Sequence, residues 1–109
     1  MNILKASIVI TTKNRMDDLR QALRSAVSQV GDPEIIVIDD ASTDGTAEMV
    51  RSEFPTIRLE VAKVSSGCIV QRNLAATIAT GDVIISIDDD AEFSTSQVIQ
   101  QTLDDLQDN

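Results

Sequence analysis

Short apolar runs rich in β-branched residues alternate along this chain with segments of helical periodicity, and that alternation restricts the fold more than any other feature. The run Ala6–Thr11 reads as a buried strand and ends in polar Thr12-Lys13-Asn14-Arg15. Met16, Leu19, Leu23, Ala26, Val27 and Val30 then recur at three- and four-residue spacing, which predicts one apolar helix stripe closed by Gly31-Asp32-Pro33. Glu34–Asp39 is a second buried strand. Ala41–Gly45 is a turn whose Ser, Thr and Asp side chains suit the start of a short helix at Thr46, ending by Phe54-Pro55. Ile57–Val61 alternates apolar and polar residues, as a half-exposed edge strand does. A helix over Cys68–Thr80 follows, with Gly81 expected as its left-handed cap. The fourth strand, Asp82–Ile87, runs into Asp88-Asp89-Asp90. A last helix, carrying Val98, Leu103 and Leu106, is expected to open at the capping box Ser94–Gln97.

Strands and helices in strict alternation with short loops imply right-handed crossovers and a mainly parallel four-stranded sheet with helices on both faces, a Rossmann-like three-layer α/β sandwich. Ligands of such sheets sit beyond the carboxyl ends of the strands. Thr11–Arg15, Asp39-Asp40 and Asp88–Asp90 all follow strands, so the topology gathers them at one edge.

Composition narrows the chemistry available there. Nine basic against eighteen acidic residues give a net charge of −9, a poor surface for nucleic acid or anionic lipid. The chain has no histidine and one cysteine, which removes the commonest zinc ligand and general base and any internal disulfide. Phe54 and Phe93 are its only aromatic residues, so a sugar-stacking platform is not expected. No apolar run reaches the roughly 18 residues of a membrane-spanning helix. No secretory signal heads the sequence, and a cytoplasmic location is the expectation. The 109 residues have the size of one domain, 1–109, without a linker or repeat.

Three consecutive aspartates repel one another and do not serve stability by themselves. If strand alternation continues through them, Asp88 and Asp90 share a side and Asp89 faces away. Two carboxylates can hold a hard divalent cation, Mg²⁺ or Mn²⁺, with phosphates completing its shell. A solvated acidic loop capping the last helix is the plainer alternative; the triplet's place after a buried strand, level with Asp39-Asp40, favours the cation. Asp39 is expected to orient the Ser42–Gly45 turn, and Asp40 to accept hydrogen bonds from a ligand's donor edge. Asn14 and Arg15 either face the ligand or simply start the first helix. Gly67 admits a purely backbone role, and Arg72 and Asn73 a salt bridge and a helix-end contact. Cys68 is expected to be an inert residue near the core, and Met1, Met16 and Met49 to fill gaps or lie at termini.

Four segments in this order carry a resemblance: Ile8–Arg15, Glu34–Thr46, Gly67 with Arg72-Asn73, and Gly81–Asp90. Together they resemble the amino-terminal half of an inverting family-two glycosyltransferase of the GT-A fold, across about Lys5 to Leu106. The resemblance implies a nucleotide-sugar donor, most often a uridine diphosphate sugar, and Mn²⁺ or Mg²⁺ as cofactor. It implies that Thr11, Asn14, Arg15, Asp40, Gly67, Arg72, Asp88 and Asp89 line or approach the nucleotide. The Asp-x-Asp signature would be Asp88-Asp89-Asp90, with Asp90 and Asp88 toward the metal. Lys13 stands where the family often has an aromatic residue, so base stacking is not expected.

Catalytic domains of this family continue beyond such a segment, and the continuation supplies the acceptor site and the carboxylate base. Asp104, Asp105 and Asp108 lie on a terminal helix or tail and do not replace that base. The expectation is a truncated, donor-binding half that transfers sugar poorly alone, with no catalytic residue or acceptor assigned. A non-catalytic interaction module that kept the fold is the alternative. A phosphoacceptor receiver domain fits less well, because Thr11–Asn14 stands where that family has its acidic pair and Lys63 is the last lysine. The fourth strand is expected to be a bare apolar edge that pairs with a second copy.

Overall fold

The computed structural model describes residues 4–107; Met1 and Asp108 therefore lie outside the described residues. Four strands, β1 (Ala6–Thr12), β2 (Glu34–Asp39), β3 (Arg58–Val61) and β4 (Val83–Ile87), form one parallel sheet in the order β3-β2-β1-β4. Register places Thr12 opposite Asp39 and Ile10 opposite Ile87, so the three polar segments leave the sheet side by side. The helices are α1 (Met16–Val27), α2 (Thr46–Glu53), α3 (Cys68–Ile78) and α4 (Val98–Gln107).

The chain steps outward from β1 through β2 to β3, then returns to the other side of β1. Right-handed crossovers in opposite directions place their helices on opposite faces. Ile8, Ile10, Ile35 and Val37 accordingly pack with Leu19 and Leu23 of α1, Met49 and Val50 of α2, and Ile99 and Leu103 of α4. Val9, Ile36 and Ile38 point the other way and meet Ala75 of α3. β1 and β2 are buried on both faces, which is why their sequences are continuous β-branched runs rather than alternations. The reversal of strand order between β1 and β4 is the switch point at which a parallel sheet opens a crevice.

Three local expectations are corrected. The α1 helix stops at Val27, three residues before Val30; Val27 and Val30 are 48% and 44% exposed. The chain leaves the helix there because Val30 N–H bonds to Ser96 O, and Gln29 turns inward instead, its amide on Thr95 O. That same Gln29 caps α4, accepting from Ile99 N–H, so α4 begins at Val98 and not at the Ser94 capping box. Gly81 is not a left-handed cap: α3 ends at Ile78, Ala79 is extended, and Gly81 has no positive φ. Its requirement is steric, since a Cβ there would stand 2.8 Å from both Ala6 C and Ser7 N of β1.

β4 pairs only with β1, and its outer edge is free among the described residues, with Ile84 43% exposed. No helix of the described residues is long and apolar enough to cross a membrane.

Candidate functional site

An open cleft of about 370 Å³ lies at the carboxyl ends of β1 and β4, lined by Thr11, Thr12, Lys13, Arg15, Asp40, Cys68 and Asp88–Asp90. Three turns hold it in shape. The first follows β1, where Asn14 takes a left-handed φ of 53° that a non-glycine residue adopts only with support. The support comes from the loop after β2: Asn14 N–H donates to Ser42 Oγ at 2.8 Å, and Asn14 Oδ1 accepts from Thr43 N–H at 2.7 Å. Asp44 adds to the brace by accepting from Met16 N–H and, with its other oxygen, from the Thr46 N–H and hydroxyl. Those bonds keep the Asp44 carboxyl below its usual range, with the Thr46 hydroxyl the largest cause. Asn14 itself does not line the cleft. It sets the turn that aims Arg15.

The second turn follows β2. Asp39 Oδ1 accepts from Ser42 N–H at 3.1 Å, the orienting role expected for it, while its buried Oδ2 has no hydrogen-bond partner. Asp40 reaches the cleft wall, yet its carboxylate offers no free oxygen. Oδ1 accepts from Ser66 N–H and Gln71 Nε2 at 2.8 Å each, and Oδ2 from Ser65 Oγ at 2.7 Å and Gly67 N–H at 3.1 Å. Asp40 is only 5% exposed and Gln71 3%. These donors, led by Ser66 N–H, hold the Asp40 carboxyl well below the usual carboxylate range against the opposing effect of burial. Asp40 thus fastens the loop that opens α3. Gly67 takes part through its N–H and needs to be glycine for its φ of 93°, with open space where a Cβ would be.

The third turn follows β4. The strand ends at Ile87, and Ala91 N–H bonds back to Asp88 O, so alternation does not carry through the triplet. Asp89 does not face away; all three aspartates border the cleft. Asp89 Oδ2 accepts from the buried Thr12 hydroxyl at 3.0 Å, and burial raises its pKa against that bond and the Arg15 charge. Arg15 Nη1 stands 3.6 Å from Asp89 Oδ1 and 3.6 Å from Asp90 Oδ2. Asp88 is exposed.

Cys68 is the clearest misplacement of the sequence reading. It is exposed, not packed in the core, because the first turn of α3 faces the end of β1. Its Sγ lies 3.4 Å from Thr11 Oγ1 and accepts from Arg72 Nη2 at 3.2 Å. Arg72 is exposed beside Cys68 and does not line the cleft. Lys13 lines the cleft, and its Nζ donates to Ser65 Oγ at 3.0 Å. Ser65, Ser66 and Gln71 join the site without a motif that marks them; the spacing of Gln71, one helical turn after Gly67, is the only sequence signal for the last.

The donor set suits a hard cation: oxygen ligands from adjacent carboxylates, with a guanidinium already drawn to two of them. Among the described residues no three acidic or thiol side chains converge into a complete ligand cage. A metal here would take one or two carboxylates and fill its shell from a ligand and water, the habit of Mg²⁺ at phosphate sites.

Comparison with known proteins agrees with this fold. The profile of glycosyl transferase family 2 matches residues 7–109. The chain is 34% identical over 92 residues to the uncharacterized glycosyltransferase YibD of Escherichia coli K12, covering 81% of this chain and 26% of that protein. It is 33% identical over 100 residues to an Escherichia coli protein, UDP-Glc:alpha-D-GlcNAc-diphosphoundecaprenol beta-1,3-glucosyltransferase WfaP, covering 87% and 39%. The chain thus spans well under half the length of these curated relatives. Crystal structures of Staphylococcus aureus TarS share the fold, one with a TM-score of 0.85 at 22% identity over 96% of this chain and 20% of TarS. The mannosyltransferase PcManGT of Pyrobaculum calidifontis, solved with GDP-Man and Mn²⁺, superposes with a TM-score of 0.75 at 26% identity, covering 85% of this chain and 29% of that one. A four-stranded parallel sheet, a cleft at its switch point and a profile match over nearly the whole chain lead to one assignment: the chain belongs to glycosyl transferase family 2 and forms an amino-terminal GT-A half.

Proposed function

We propose that the cleft binds the nucleoside diphosphate of a sugar donor together with a divalent cation, Mn²⁺ or Mg²⁺, as the donor-binding part of a glycosyl-transfer site. The observation that carries this reading is the convergence of Thr11, Arg15, Asp40 and Asp88–Asp90 on one open cleft at the carboxyl ends of the strands. A diphosphate brings at least two negative charges to a wall that already holds Asp88, Asp89 and Asp90, so a cation must stand between them. Asp90 and Asp88 are the exposed carboxylates and the ones assigned to the metal. Bound there, the metal would neutralise the diphosphate and stabilise it as a leaving group.

The chain's own residues do the rest. Asp89, anchored on Thr12, fixes the turn that presents its neighbours. Thr11 and Cys68 border the end of the cleft nearer α3, where base and ribose would lie. Asp40 shapes that end through the loop Ser65–Gly67, since its oxygens are already taken. A uridine diphosphate sugar is the preferred donor. WfaP, a relative named for UDP-Glc, supports uridine, and the PcManGT complex with GDP-Man makes guanosine the competitor.

Calorimetric titration of UDP and of GDP, each with and without Mn²⁺, on the parent protein and on Asp90→Asn tests the proposal. Binding that requires both metal and Asp90, with UDP ahead of GDP, is expected. A folded protein that binds neither nucleotide at millimolar concentration would favour the non-catalytic module.

A further inference from the structure

The surroundings of Arg15 deepen the metal reading and rest on it. Arg15 is the N-cap residue of α1, and its backbone is fixed by the left-handed Asn14 before it and by Leu19 N–H bonding to Arg15 O at 2.9 Å. Its side chain is 52% exposed and lies between Asp89 and Asp90 at 3.6 Å from an oxygen of each. A small hard cation such as Mg²⁺ binds oxygen at about 2.0–2.1 Å. A guanidinium nitrogen at its present distance from those oxygens would then face a double positive charge within a few ångströms. The metal held by Asp90 and Asp88 and the Arg15 guanidinium cannot both hold Asp90.

We propose that Arg15 is an internal counter-ion that holds Asp89 and Asp90 in the metal-free protein and gives up Asp90 when a divalent cation enters, turning to the diphosphate that arrives with it. The displaced guanidinium remains over the same cleft, and a diphosphate is the anion whose paired oxygens match its fork. Metal alone must displace Arg15 with nothing to receive it. Metal with nucleotide exchanges one partner for another. Arg15 thus couples the two ligands and makes metal uptake depend on nucleotide, a positioning role distinct from direct ligation.

The test measures Mn²⁺ binding from the electron paramagnetic resonance signal of the free ion, with and without UDP, on the parent protein and on Arg15→Gln, with circular dichroism to verify folding. The parent is expected to bind Mn²⁺ weakly alone and more tightly with UDP. Arg15→Gln is expected to bind Mn²⁺ alone about threefold tighter or more, the scale on which one exposed charge acts, and to gain less from UDP. Unchanged or weaker binding of Mn²⁺ alone by folded Arg15→Gln would overturn the proposal. Should that variant not fold, Arg15→Lys keeps the charge without the fork: Mn²⁺ binding alone is expected to stay within about twofold of the parent while the gain from UDP shrinks, and an undiminished gain from UDP overturns the proposal. A parent protein that takes up no Mn²⁺ even with UDP would instead sink the metal–nucleotide reading itself.

Discussion

Replacing Asp40 by Asn separates two roles for this residue. As a free acceptor for a ligand it would matter to binding alone; as the fastening of the Ser65–Gly67 loop it matters to folding. The exchange turns one carboxylate oxygen into an amide donor, and each oxygen now faces two donors. The less costly orientation puts the new NH₂ toward Ser65 and Gly67, because the Ser65 hydroxyl can rotate and accept from it. Gly67 N–H then faces a donor and is left unsatisfied, which costs about 1–3 kcal/mol. The bonds from Ser66 and Gln71 survive but lose their charge assistance, at about 0.5–1 kcal/mol each. The sum is about 2–5 kcal/mol, and a chain of this length converts that to a fall in Tm on the order of 10–20 °C.

The pH dependence has a definite sign. The Asp40 carboxyl titrates far below the ordinary aspartate value of 3.8, so its contribution is fully present above that value and is lost as pH falls from about 4 toward the folded-state value. Thermal unfolding followed by circular dichroism should therefore show a Tm gap between parent and Asp40→Asn that is constant above about pH 5 and narrows below pH 4. A gap under about 2 °C at neutral pH, with UDP binding abolished, would refute the latch and restore Asp40 as a direct reader of the ligand.

Other substitutions address other parts of the account. Gly81→Ala should destabilise by about 1–3 kcal/mol in urea unfolding through its clash with β1, and Gly81→Asn at least as much; an Asn tolerated better than Ala would reinstate the left-handed cap. Asn14→Gly keeps the backbone angle and loses the Thr43 brace, about 1 kcal/mol, whereas Asn14→Ala adds a left-handed penalty of about 1–2 kcal/mol; equal unfolding midpoints for the two would refute the strain argument. The outer edge of β4, free among the described residues, should pair with a second copy at high concentration, more so in salt that screens the −9 charge, and light scattering that shows a monomer throughout would contradict this.

The sheet was legible because each buried strand is a continuous β-branched run, a pattern decided by burial on both faces. The gathering of Thr11–Arg15, Asp40 and Asp88–Asp90 followed from topology alone, since parallel strands carry their ends to one edge. What escaped the sequence depends on contacts between distant segments. The Val30 periodicity matches a helix that a bond to Ser96 ends early, and the glycine at 81 serves a strand some 75 residues away as readily as it would a cap. The saturation of Asp40 needs donors 25 to 31 residues downstream, which no local pattern reveals. Strand alternation misled at Asp89 because the turn begins one residue after Ile87.

The central claim is that a divalent cation and a nucleoside diphosphate meet at the Asp88–Asp90 turn. Paramagnetic broadening of amide resonances by substoichiometric Mn²⁺, recorded with and without UDP, locates the ion directly. The account predicts that UDP strengthens broadening centred on Asp88–Ala91 and Thr11–Arg15, with the outer end of β3 unaffected. Broadening that spreads over the acidic surface without regard to UDP, or that centres on another part of the chain, would contradict it.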